Sequence, residues 1–123
     1  MSKGTILICD NDQDEIFTLQ EGLTSEGYEV IVIQDATQLV STAKNLKASV
    51  VIANPDMNGF NDYDVCKYIK NEYKIPVMLT IDRNSTARSS FGDCTADDVI
   101  SKPYKSIGNI STLILKHIVF DQQ

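Results

Sequence analysis

Residues 48–70 read ASVVIANPDMNGFNDYDVCKYIK, and the reading of this stretch decides the fold. The run Val50-Val51-Ile52-Ala53 is short enough and β-branched enough to be a strand buried on both faces. Asn54-Pro55 ends it, because proline has no backbone N–H and pushes the residue before it away from helix. A polar turn through Asn58-Gly59 follows. Asp62-Tyr63-Asp64 then opens a helix with Val65, Cys66 and Ile69 on one side. Strand, loop and helix make half of a parallel βαβ unit. In open α/β sheets, chemistry sits beyond the carboxyl ends of such strands, which is where Asn54 falls.

Working outward, the pattern repeats. Residues 5–9, TILIC, are another buried strand, ending in Asp10-Asn11-Asp12. Residues 14–26 carry Ile16, Leu19 and Leu23 at helical spacing, with Phe17 and Gly22 beside them. The acidic start suits the helix dipole, and Gly27 suits a left-handed cap. Residues 28–33 form a second strand. Asp35 caps a helix to about residue 46, with Leu39, Val40, Ala43 and Leu46 facing inward. Beyond the central stretch, residues 75–80 are a fourth strand with Pro76 at its start, where proline is tolerated. Residues 82–95, DRNSTARSSFGDCT, are poor helix material and predict a short or irregular helix. Residues 99–102 make a short fifth strand. A last helix over about 106–120 has Ile107, Ile110, Ile114 and Ile118 on its core side, and His117 reads as solvated.

The totals fit one globular domain, residues 1–123 with a core over about 4–120. A net charge of −6 argues against contact with nucleic acid or an anionic membrane, and no run of Lys or Arg suggests a local basic patch. Cys9, Cys66 and Cys94 show no CxxC spacing and sit among apolar or small residues, so they read as buried thiols in a reducing compartment. No apolar run approaches the ~20 residues that span a bilayer, and the N-terminus does not look like a signal peptide. The expectation is a cytoplasmic protein.

Strands alternating with helices at this spacing predict an α/β fold: a flavodoxin-like, doubly wound (βα)5 unit with helices on both faces of a five-stranded parallel sheet. Right-handed crossovers favour the strand order 2-1-3-4-5. That order places Asp10, Asn11 and Asn54 around one switch point, with Thr80 and Lys102 at the ends of the next two strands. A flavin-binding relative would need a phosphate-binding loop after the first strand; Asp10-Asn11-Asp12 would repel a phosphate instead.

Ile6-Leu7-Ile8-Cys9-Asp10-Asn11, the turn through Asn54, residues 76–80, Ala96-Asp97-Asp98 and Lys102-Pro103-Tyr104 resemble the receiver (CheY-like) domain of two-component response regulators. The resemblance covers essentially the whole chain. It implies a signalling module in a phosphorelay rather than an enzyme. Its partners would be a histidine kinase or another signalling protein, and a homodimer would pair through the face made by the fourth helix, the fifth strand and the fifth helix. It also implies a mechanism. An acidic pair after strand 1 holds Mg²⁺, an aspartate ending strand 3 takes the phosphoryl group, a Thr or Ser and a Lys bind its oxygens, and an aromatic residue on strand 5 turns inward.

This chain keeps part of that set. Asp10 matches the first acidic position, and Asn11 replaces the second. Asn54 stands at the phospho-acceptor position. Thr80 and Lys102 match the phosphate-binding pair, and Val99 stands at the aromatic switch. An amide forms no acyl phosphate. Each missing carboxylate also removes roughly 6 kcal/mol of gross attraction for a divalent ion at ~5 Å and an effective dielectric of ~20. The expectation is therefore a pseudo-receiver, not phosphorylated at Asn54, with no cofactor and at most weak Mg²⁺ at Asp10 and Asp56. Asn54 then either locks the pocket, with its amide bonded to Lys102, or marks a drifted site; Asp10 is the natural partner of the Lys102 ammonium. The alternative is an active receiver with a substitute acceptor, Asp56 or Asp10, and Mg²⁺.

Overall fold

The computed structural model describes residues 3–54, 62–81, 98–101 and 107–121, with side chains at 3–54, 68–80, 100 and 107–118. The expected short helix at 82–95, the loop holding Asp56, and the segment Lys102-Pro103-Tyr104 lie outside the described residues.

The strands are β1 (Thr5–Cys9), β2 (Glu29–Ile33), β3 (Val50–Ala53), β4 (Val77–Ile81) and β5 (Asp98–Ser101). They form one sheet in the order β2-β1-β3-β4-β5, and every neighbouring pair is parallel. The described helices are α1 (Gln13–Ser25), α2 (Leu39–Leu46, preceded by a 3-10 turn at Ala36–Gln38), α3 (Asp62–Tyr73) and α4 (Ile107–Asp121). This is the flavodoxin-like, doubly wound arrangement.

Alternation along the strands builds two cores. Leu7, Cys9, Val51, Ala53, Val77 and Leu79 point to the face covered by α2 and α3. Ile6, Ile8, Val50, Ile52, Met78 and Ile100 point to the face covered by α1 and α4. Every residue of β3 is buried, which is why its sequence is apolar without a break. Each fully buried Val, Leu or Ile stabilises the fold by ~1.5–3 kcal/mol relative to exposure.

Caps explain the helix ends. The Asp12 carboxylate accepts the Glu15 N–H at 3.4 Å to start α1, and Gly27, at φ 103, turns the chain out of it into β2. The Asp35 carboxylate accepts both the Thr37 N–H (3.0 Å) and the Thr37 hydroxyl (2.6 Å). It therefore caps the 3-10 turn, and α2 proper begins only at Leu39.

The structure corrects several of these expectations. β4 begins at Val77 rather than residue 75, because Pro76 brings no N–H to the ladder; its carbonyl instead accepts the Val51 N–H at 3.0 Å. β4 also continues past Thr80 to Ile81, and β5 starts a residue early, at Asp98. His117 is buried, at 6 % exposure, where a solvated residue was expected. Ile110, Ile114 and His117 follow the i, i+4, i+7 stripe that α4 turns inward, so helical period overrides polarity. Phe17, beside the inner stripe of α1, is instead 63 % exposed.

Candidate functional site

The sheet order makes the site. β1 lies between β2 and β3, so the chain leaving β1 and the chain leaving β3 emerge side by side. Asp10 follows β1, and its N–H donates to Ile33 O at 3.2 Å. Asn54 follows β3, and its N–H donates to Cys9 O at 2.9 Å, one step beyond the regular ladder. The two side chains are thereby aimed at one another.

Asn54 Nδ2 donates to Asp10 Oδ1 at 3.0 Å. The orientation of the amide follows from chemistry: an ionised carboxylate offers only acceptors, so the amide must present its nitrogen. The same Oδ1 also accepts the backbone N–H of Asn11 at 2.8 Å and of Asp12 at 3.2 Å. Asp10 is thus a buried carboxylate, 2 % exposed, with three N–H groups converging on one of its oxygens. Burial of such a charge is tolerable only with donors of this kind around it. The two backbone bonds were legible in principle, since an aspartate ahead of polar residues after a strand is an Asx-turn signal.

Thr80 is buried on β4, and its hydroxyl lies 3.5 Å from Ala53 O, the carbonyl that precedes Asn54. The β3–β4 register, Ala53 opposite Leu79, sets Thr80 one step farther along, on the level of Asn54. Asn11 is exposed. Val99 pairs with Leu79 in the ladder, and its side chain is outside the described residues. Lys102 and Asp56 are outside them too. The described part of the site therefore comprises Asp10, Asn11, Asn54 and Thr80.

Beneath Asp10, the Cys9 thiol is fully buried against the α2–α3 face. Burial first, then the nearby charges of Asp10 and Asp35, push its pKa up to about 12. A thiol held protonated in this way is a small apolar packing group, not a nucleophile.

The response regulator receiver domain family model matches residues 6–114. The chain belongs to the response regulator receiver family. Among curated relatives, this receiver is 30 % identical over 101 residues to the DNA-binding response regulator MtrA of Mycolicibacterium paratuberculosis, covering 81 % of this chain and 45 % of that protein. It is 30 % identical over 114 residues to the response regulator GtcR of Aneurinibacillus migulanus, covering 92 % of this chain and 47 % of that one. The receiver thus spans under half the length of these relatives. Among solved structures, full-length FixJ from B. japonicum superimposes with a TM-score of 0.84 at 20 % identity, over 99 % of this chain and 61 % of that one. The receiver domain of the sensor histidine kinase PA1611 from Pseudomonas aeruginosa superimposes with a TM-score of 0.81 at 17 % identity, over 94 % and 98 %. These likenesses agree with the fold; membership of two-component signalling rests on the family match.

The PA1611 receiver was crystallised with a magnesium ion in its active-site cleft. The described residues of this receiver do not fit such an ion. Magnesium takes hard, anionic oxygens in octahedral array. Here one carboxylate oxygen is already occupied by three donors, and Asn54 turns N–H toward Asp10. Among the described residues, no group of three His, Cys, Asp or Glu side chains gathers in one place. No helix among them is long and apolar enough to cross a membrane.

Proposed function

We propose that this receiver is a pseudo-receiver: it takes no phosphoryl group at Asn54 and signals through protein–protein contact, without enzymatic activity. The observation that carries the reading is the Asn54 Nδ2 to Asp10 Oδ1 hydrogen bond. A phospho-receiver needs two carboxylates here, which repel one another until a cation joins them. An amide and a carboxylate attract one another without a cation. The bond therefore supports a pocket held in one state by its own side chains, with Asn54 in place of the acceptor and Asn11 in place of the second acidic residue. Thr80 and Lys102 would then be the remnant of the phosphate-binding pair, and Val99 would offer no ring to swing.

In this reading the partners are a histidine kinase or another signalling protein, or a second copy of the chain, and the domain itself touches no nucleic acid. The relatives named as DNA-binding extend well beyond the matched part, so any such activity of a longer protein would lie outside this domain.

The test is a titration of the labelled protein with Mg²⁺ and beryllofluoride, a phosphoryl mimic, followed by amide shifts. The reading expects the signals of Asp10, Asn11, Asn54 and Thr80 to stay in place at millimolar Mg²⁺. Saturable shifts there would refute it. Shifts that vanish in Asp56→Ala would transfer the acceptor role to Asp56.

A further inference from the structure

At the opposite end of the sheet from Asp10 and Asn54, a cavity of about 280 Å³ opens where α2 and α3 finish and β3 and β4 begin. Its wall carries Lys44, Lys47 and Lys74 together with Ser49, Tyr73 and the apolar Ile75. Among the described residues, no acidic one lines it, although the chain as a whole carries a net charge of −6. Lys44 and Lys47 belong to the end of α2, and folding brings Lys74, after α3, to the same cavity.

The backbone gives a second, independent mark. Lys47 ends α2 at φ 51 and ψ 51, and Lys74 follows α3 at φ 58. Among the described residues these are the only non-glycine residues with positive φ. Glycine is the usual occupant of a left-handed helix terminus because it has no Cβ to clash. Lysine stands at both positions, and both lysines line the same cavity. The helix ends do not need the ammonium groups. Lys47 N donates to Ala43 O and Lys44 O, Ala48 N to Ala43 O at 3.2 Å, and Lys74 N to Lys70 O at 3.1 Å. Nor does any of the three lysines make an ion pair among the described residues. Left-handed backbone retained at both of these lysines, around one cavity, points to a functional use of their side chains.

We propose that this cavity binds a small phosphorylated molecule. Lysine meets phosphate as a point charge. A phosphate monoester, with close to two negative charges at neutral pH, matches a group of ammonium ions better than a single carboxylate does. Ser49, on the same wall, is held by the Thr5 N–H, which donates to its Oγ at 3.3 Å. The Tyr73 ring is steadied edge-on by Tyr68, with centroids 5.7 Å apart, and with Ile75 it supplies a surface for the organic part of the ligand. This site is independent of the reading of Asn54.

The test is a titration of labelled protein, at fixed ionic strength, with inorganic phosphate and separately with adenosine monophosphate. Saturable amide shifts are expected at Lys47, Ser49 and Lys74, with Asp10 and Asn54 unmoved. Saturation by both probes identifies a phosphate site; saturation by the nucleotide alone identifies a site for an organic phosphate. The double variant Lys47→Gly/Lys74→Gly adopts the left-handed turns without strain, so it should melt higher than the wild type while binding falls about tenfold or more. Lys44→Met leaves both turns untouched and should also weaken binding. Absence of saturable shifts at millimolar ligand, or unchanged affinity in the double variant, overturns the proposal.

Discussion

Asn54 and Asp10, 44 residues apart in sequence, are joined by a 3.0 Å hydrogen bond that ties the end of β3 to the end of β1. The bond joins the two sides of the switch point through a neutral donor and a carboxylate. Removing either side chain, or changing its charge, should therefore be felt in stability as well as in ligand binding.

Asn54→Ala leaves Asp10 Oδ1 with its two backbone donors and one fewer partner. Hydrogen bonds to a charged acceptor are worth ~1.5–3 kcal/mol, so urea unfolding should show a loss of about that size. A midpoint equal to the wild type would show that the bond contributes nothing.

Asn54→Asp puts two carboxylates at hydrogen-bonding distance. At ~4 Å and an effective dielectric of ~20, the gross repulsion is about 4 kcal/mol. In metal-free buffer at neutral pH this variant should melt below the wild type, and millimolar Mg²⁺ should raise its melting temperature. The wild type should show no such rise.

Cys9 sets a high-pH limit. Folding raises its thiol from the ordinary 9.0 to about 12, so the folded state holds a proton that the unfolded chain gives up. The contribution is fully present below pH 9 and is lost as pH rises from 9 toward 12. Peptide mapping after iodoacetamide at pH 8 should find Cys9 unmodified in the native protein and modified in urea. The fall in stability above pH 9 should be shallower in Cys9→Ala.

Gly22→Ala would gain helix propensity, ~1 kcal/mol. Its Cβ, however, would lie 2.6 and 2.7 Å from Ile107 Cγ2 and Cγ1, where α1 approaches α4. Overpacking of this kind costs ~1–3 kcal/mol, and the β-branched Ile107 has little rotamer freedom to yield. A net loss of stability on thermal melting is expected; a gain would mean that the helices separate easily.

How much of this was written in the sequence differs from feature to feature. Val50-Val51-Ile52-Ala53 and Ile6-Leu7-Ile8-Cys9 announce buried parallel strands, and the strand order followed from crossover handedness. The meeting of Asp10 with Asn54 followed from that order. What did not follow is that the amide shares one Asp10 oxygen with two backbone N–H groups, because that depends on three donors meeting at one point in space. His117 was misplaced because a polar side chain was allowed to outweigh the i, i+4, i+7 spacing of its helix. The lysine cavity was illegible for another reason. Lys44 and Lys47 belong to one helix end and Lys74 to another, and nothing in a linear reading brings two helix ends together or marks a lysine as left-handed.

The most direct test of the silent pocket is intact-mass spectrometry after incubation with acetyl phosphate and Mg²⁺, for the wild type and for Asn11→Asp/Asn54→Asp side by side. The account predicts an unmodified wild type and a phosphorylated double variant whose label maps to position 54. A stoichiometric phosphoryl adduct on the wild-type chain would contradict it.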